Sequence, residues 1–278
     1  MYDASVLLPP AQQVRVVARA SQADWGGACA AMAEGQPLKD HSRGTVWQAA
    51  LLGCECVLKC QRLDSPRRKL QSLLHISPAW RHWRQARWLR AHGFSTAEPL
   101  AIVRGRREGI AVECLVLAYL PGWSVLEYLA GRSGALTARR EHRVAEAIAH
   151  LACRLVSEGR YNRDAKPSNL IVTELSERGA TLAVIDCGDL RRCPPRDEAA
   201  LVRMLASAAI EPRGCGCQPR RSVRMRAVLT AAEVLDPAAP RQRARHLWRL
   251  LERAVAAHGD ATPRDTPLPR PPNDPPPL

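Results

Sequence analysis

The chain has 278 residues and a formal net charge of +14, with 41 Lys and Arg against 27 Asp and Glu. That length suits a single two-part domain with a core large enough to fold alone, and so basic a composition calls for an acidic partner: nucleotide phosphates, nucleic acid or an anionic membrane face. Composition excludes a membrane-spanning helix, because the longest apolar run, Leu115 to Leu120 with its neighbours, is far too short, and no signal peptide is expected of Met1-Tyr2-Asp3 and a Val6-Leu7-Leu8 run broken by Pro9-Pro10.

In chain order, Trp47 to Leu51 and Cys54 to Lys59 read as two strands joined by a turn at Gly53. Period two sets Val57 and Lys59 on one face and Cys56, Leu58 and Cys60 on the other. Arg67 to Arg90 carries seven basic residues interleaved with Trp80, Trp83 and Trp88. Helical spacing gathers Trp80, Trp83, Arg84 and Arg87 on one face and His82, Ala86 and Leu89 on another. Ala101 to Val103 and Val112 to Ala118 predict a hairpin across Arg104 to Gly109, and Tyr119-Leu120-Pro121-Gly122 reads as a crossing into a helical portion. Helices are expected over Ser124 to Ala130, Arg139 to Glu158, Asp197 to Ile210 and Arg241 to His258, the second burying Val144, Ile148, Leu151, Ala152 and Leu155, the last Leu247, Leu250, Leu251 and Val255. From Thr262 onward a proline-rich tail is expected to stay disordered.

The run Arg163-Asp164-Ala165-Lys166-Pro167-Ser168-Asn169, followed by Asp186-Cys187-Gly188, carries the most chemistry. Leu170 to Val172 predicts a strand, Glu174 to Thr181 a hairpin connection and Leu182 to Ile185 the returning strand that delivers Asp186. Phosphoryl transfer needs a positioned hydroxyl, metal on the phosphates and relief of developing charge. Asp164 has the chemistry of the base, Lys166 of a cation beside the transferred group, and Asn169 with Asp186 of oxygen ligands for magnesium. Lys59, closing an apolar strand, is placed as a phosphate-pairing lysine, with Val57 beside it to touch adenine. The loop Ser42-Arg43-Gly44-Thr45 offers a single glycine for close approach to phosphate.

On these motifs, together with Leu38 to Lys59, Arg81-His82-Trp83-Arg84 through His92-Gly93 to Glu98-Pro99-Leu100, Tyr161 to Asn169 and Val184 to Arg191, the chain resembles the bacterial lipopolysaccharide core heptose and Kdo kinases. The resemblance runs from about Lys39 to Gly259. It implies an α+β, two-lobed protein-kinase-like fold: a small antiparallel-sheet N-lobe over 1–120, a mainly helical C-lobe over 121–261 and a tail over 262–278. It implies an ATP- and Mg2+-dependent kinase acting on a sugar hydroxyl of lipopolysaccharide core or a related glycolipid. Asp164 and Lys166 are then catalytic; Lys59, Val57, Gly44, Tyr119 and Leu120 bind nucleotide; Asn169 and Asp186 bind metal. Asn162 stands where the family usually has histidine, and Cys187 where it has an apolar or aromatic residue. His82 occupies the place of a helix glutamate that pairs with the lysine, and no acid occurs from Ser65 to Ala97. A weak enzyme, an acid supplied from elsewhere and a pseudokinase scaffold all remain open, as does a eukaryotic-like Ser/Thr protein kinase. The missing Ala-Pro-Glu signature after Asp186 favours a small acceptor over a peptide.

Nucleic acid is not expected as a partner, for want of any helix-turn-helix, zinc-finger or RNA-binding motif. The cysteines lack the paired spacing of a zinc site and are expected to be reduced thiols. The tryptophan-arginine face suits an anionic membrane interface; the alternative packs the tryptophans inward and leaves the arginines in water. The expected location is cytoplasmic, with a peripheral position at the inner membrane face.

Overall fold

The computed structural model describes residues 24–41, 44–51, 53–107, 109–131, 137–217 and 219–259. The expected tail from Thr262, the start of the chain, and Ser42 and Arg43 of the glycine loop lie outside them. The described residues form a mixed α and β structure in two compact units: one holds those up to Arg84 together with Glu98–Tyr119, the other Gln85–Ala97 and those from Leu120 onward.

The first unit contains α1 (Asp24–Glu34), β1 (Gln36–His41), β2 (Gly44–Leu51), β3 (Cys54–Arg62), α2 (Pro66–Leu73) and the start of α3 (Pro78–Ala91), then β4 (Pro99–Arg107) and β5 (Ile110–Ala118). Its sheet is antiparallel in the order β1-β2-β3-β5-β4. Alternation in β3 buries Cys56, Leu58 and Cys60, which pack with Ala28, Met32, Val103 and Val116 into this unit's core. The β4–β5 hairpin pairs as far as Arg107 and Ile110, so its turn is tighter than the sequence predicts.

One feature of this unit corrects the sequence reading, and a second decides between its two alternatives for the tryptophans. Cys60 and Cys114 face each other across β3 and β5 and form a disulfide, where reduced thiols were expected. Only the strand register brings these residues, 54 positions apart, together. Trp83 is buried and Trp80 half-buried while Arg84 and Arg87 are exposed, so the tryptophans are packing groups and not one face of a surface stripe.

The second unit holds the end of α3, β6 (Trp123–Ser124), α4 (Val125–Leu129), α5 (Ala138–Ser157), β7 (Arg160–Asn162), β8 (Leu170–Leu175), β9 (Ala180–Val184), β10 (Leu190–Arg192), α6 (Glu198–Gly214), α7 (Arg221–Leu235) and α8 (Pro240–His258). Its strands form two small sheets, β6-β8-β9 and β10-β7. Side-chain oxygens start α4, α5 and α6. Ser124 and Glu127 make a reciprocal capping box at α4, Thr137 accepts from the Arg140 N–H at α5, and Asp197 accepts from that of Ala200 at α6. The buried face of α5 is Val144, Ala145, Ala149, Ala152, Cys153, Leu155 and Val156, turned slightly from the expected stripe so that Ile148 and Leu151 sit at its margin.

Residues 85–97 cluster here because Leu89 and Phe94 enter this core, Arg154 Nη1 donates to the Gly93 carbonyl at 3.0 Å, and the Val184 N–H donates to the Ser95 carbonyl at 2.9 Å.

Gly122, just after the division between the units, has φ 130°, and a Cβ there would lie 2.5 Å from the Val172 carbonyl oxygen. Gly122→Ala is expected to cost roughly 2–4 kcal/mol from strain and overlap together. Gly131 has φ 71° with nothing near its Cβ position, so Gly131→Ala isolates the backbone component, about 1–2 kcal/mol. Urea unfolding of both variants checks the difference.

Candidate functional site

Asp164, Lys166 and Asn169 lie on the loop between β7 and β8, and the fold brings them into direct contact. The Lys166 ammonium is 2.8 Å from Asp164 Oδ1. Asn169 Nδ2 donates to Asp164 Oδ2 and to the Asp164 carbonyl, both at 3.0 Å. Both carboxylate oxygens are therefore held in orientation.

Local structure follows from the loop's own sequence. The Lys166 N–H donates to the Asp164 carbonyl at 2.8 Å, and Pro167 opens a single 3-10 turn, Pro167–Asn169, where its fixed φ and missing N–H cost nothing. Ser168 anchors that turn to α6: its N–H and Oγ donate to the two carboxylate oxygens of Glu211 at 2.8 and 2.6 Å.

Asp186 is delivered by β9. Leu170 pairs with Val184, and the Ile185 N–H donates to the Asn169 carbonyl at 3.0 Å, so the ladder ends with residue 186 next along the chain.

Asn162, buried to 3% exposure, links the two acids. Its Oδ1 accepts the Asp164 N–H at 3.0 Å and its Nδ2 donates to the Asp186 carbonyl at 3.1 Å. In place of the histidine usual in the resembled family, this amide offers one acceptor and two donors on a short arm. The available signal was a polar residue two before the acid in a short strand, a position that ordinary burial statistics would give to an apolar side chain.

Asp189 braces the neighbouring turn. It lies 3.5 Å from Arg163 Nη2 and 2.7 Å from Arg191 Nη2, and its carbonyl accepts the Arg163 N–H at 3.2 Å.

The other candidate residues fall elsewhere. Val57, Lys59, Gly44 and Tyr119 belong to the first unit, and Leu120 begins the second. Val57 and Lys59 share the half-exposed face of β3, opposite the buried cysteines. Gly44 has a structural reason to be glycine, since a Cβ would lie 2.3 Å from the Cys60 carbonyl oxygen. The Tyr119 N–H donates to the Glu55 carbonyl at 2.9 Å. His82 is buried, at 5% exposure.

Sequence reasoning also missed Glu113 on β5, which is fully buried and shares the Lys59 face of the sheet, opposite Gln61. Gln61, Ser72, Ser77 and Arg104 all donate to its carboxylate.

Asn169 and Asp186 fit magnesium by donor type, since an amide oxygen and a carboxylate are both hard ligands. Among the described residues no group of three or more His, Cys, Asp or Glu is placed to hold a metal, so a cation here would need substrate oxygens to complete its shell. Burial pushes the thiols of Cys56, which has Cys54 beside it, and of Cys153 up to about 12, which keeps both protonated and unreactive at neutral pH.

No protein-family profile and no curated protein matches the chain. Among solved structures it is similar to WaaP in complex with acyl carrier protein, at 16% identity and a TM-score of 0.48, over 78% of this chain and 88% of that one. At that similarity the description of the fold rests on the chain's own elements.

Proposed function

We propose that the protein is an ATP-dependent kinase of the two-lobed protein-kinase-like fold that transfers the terminal phosphoryl group to a sugar hydroxyl of lipopolysaccharide core or a related glycolipid. The observation that carries this reading is the Asp164–Lys166–Asn169 contact on one loop, with Asn162 joining its backbone to that of Asp186. Asp164 takes the proton of the acceptor hydroxyl. Lys166, 2.8 Å away, holds the carboxylate in place and offsets negative charge at the reacting end. Asn169 and Asp186 hold magnesium, and Lys59 with Val57, Gly44, Tyr119 and Leu120 holds the nucleotide. When bound, the metal and nucleotide supply the phosphoryl group and neutralise the charge that develops on it.

The test is incubation of purified protein with Mg2+, ATP and core oligosaccharide, read by mass spectrometry for a phosphorylated sugar and paired with the same search in a deletion strain and its parent. Phosphorylation of peptides alone would overturn the acceptor assignment. The buried His82, at the place of the helix acid, supports a second reading, a non-catalytic scaffold; that reading predicts no turnover with any acceptor.

Asn162 gives a sharper test of the site. Asn162→Ala removes the hydrogen bonds that align Asp164 with Asp186 and is expected to lower kcat by roughly 10–100-fold through misplacement, with KM for the acceptor little changed. Steady-state kinetics that show only a raised KM would refute the positioning role.

A further inference from the structure

α2 is built inside out. A helix on a soluble domain turns its apolar stripe to the core and its polar residues to water. Here Ser72, at 2% exposure, points inward, while Leu70 and Leu73, at 56% and 68%, point outward, followed by Leu74 at 59% and Ile76 at 49%. Leu70, Leu73 and Leu74 follow i, i+3, i+4 spacing and so form one ridge. Six large apolar side chains are exposed among the described residues, and four of them lie within these seven positions. The clustering makes this a patch and not scattered exposure.

The ridge cannot roll inward, because the segment's polar side is pinned. Ser72 Oγ donates to Glu113 Oε1 at 2.5 Å, Ser77 Oγ donates to Glu113 Oε2, and Arg104 donates to the Ser72 carbonyl. Arg68 lies 2.9 Å from Asp64, and Arg84 Nη1 donates to the His75 carbonyl at 2.8 Å, which fixes the turn after the helix. Helical geometry sets Arg67 and Lys69 on the two flanks of the leucine ridge. Both are exposed, and no ion pair joins either to a described residue. No acid occurs from Ser65 to Ala97, so nothing in the segment neutralises them.

We propose that this ridge, residues 70–76, inserts into the surface of an anionic lipid membrane, with Arg67 and Lys69 against the headgroups. Aliphatic side chains flanked by uncompensated cations are the pattern of an interfacial helix, whose binding adds buried apolar area to attraction by anionic lipid. A second copy of the chain fits poorly, because a twofold contact through the ridge would set the same cations against each other. The inference goes beyond the kinase reading and replaces the tryptophan face as the lipid contact. Vesicle binding is read without ATP or acceptor, so its failure leaves the kinase reading untouched.

The experiment is flotation of the full chain with vesicles of phosphatidylethanolamine and phosphatidylglycerol against vesicles of phosphatidylcholine alone. Wild type should bind the anionic vesicles, less so at high salt, and float poorly with the neutral ones. The variant Leu70→Gln/Leu73→Gln/Leu74→Gln should lose at least about tenfold in partition, with its melting midpoint unchanged because these side chains face outward. Arg67→Gln and Lys69→Gln should each lose roughly fivefold. Absence of wild-type binding, equal binding to neutral vesicles, or full binding by the leucine variant would overturn the proposal. So would a melting midpoint lowered by several degrees in that variant, which would mean the chain covers its own leucines, or a wild-type dimer that the variant converts to monomer.

Discussion

Asp164→Ala is expected to lower phosphoryl transfer by about 10²–10⁴-fold, the usual contribution of a positioned general base, while ATP still binds and the melting midpoint stays within a degree or two of wild type. The two halves of that expectation have separate causes. On the proposed reading activity falls because no other described carboxylate touches both Lys166 and Asn169, the two groups that orient Asp164. Stability hardly moves because the Asp164 and Lys166 side chains are 32% and 43% exposed, and exposed ion pairs contribute little. The loop also keeps its backbone frame without the carboxylate, since Asn169 still donates to the residue-164 carbonyl and Asn162 still accepts the residue-164 N–H. Asp164→Asn preserves shape and should lose as much activity, which separates basicity from packing. Retention of more than about a tenth of wild-type turnover in either variant would remove Asp164 from the role of base.

The site was legible to the extent that its chemistry is local. Asp164, Lys166 and Asn169 touch because they sit within six positions on one loop, and spacing reports that directly. Asp186 was legible one step further out, through two short β-runs and the turn between them; the strands extend to Leu175 and Ala180, so the connection is only Ser176 to Gly179. Asn162 was visible as a residue and not as a bridge, because its use depends on the Asp186 carbonyl 24 positions away. Long-range pairing carries no periodic signal. The same limit hid the Cys60–Cys114 disulfide, which exists through the β3–β5 register.

Among the elements, the strands and helices with clean alternation or a clear apolar stripe were readable, and α1 and α7 were not. α7 buries Val223, Val228, Thr230, Ala231 and Ala232, a set with small and polar members. Its Ala, Leu, Met and Arg favour the helical state, but a stripe so short of large apolar side chains gives little periodic signal to read. α2 failed for a different reason. Its leucines carry no sign in the sequence of which way they face, and the structure turns them outward because the inward direction is claimed by hydrogen bonds to Glu113.

That carboxylate sets the largest expected loss of stability. Glu113 is fully buried in β5, yet it is ringed by Gln61 Nε2 at 2.8 Å, Ser72 Oγ at 2.5 Å, Arg104 Nε at 3.2 Å and Ser77 Oγ. A buried charge is tolerable only when paired and fully hydrogen-bonded, and this one is both. Glu113→Ala leaves a cavity and deprives the two serines, the glutamine and a partly exposed guanidinium of their shared acceptor. The expected cost is roughly 3–5 kcal/mol, from the cavity together with the buried donors left without an acceptor. Against a domain stability of about 5–15 kcal/mol, that is enough to leave the protein poorly folded. Glu113→Gln keeps the volume but offers one acceptor oxygen and turns an NH2 toward groups that themselves donate, so about 1–3 kcal/mol is expected. Urea unfolding of both variants measures the costs, with an unchanged slope showing that the same surface is exposed. If the alanine variant unfolds within about 1 kcal/mol of wild type, the carboxylate does not pin Ser72 and Ser77, and the outward set of the α2 leucines loses its physical cause.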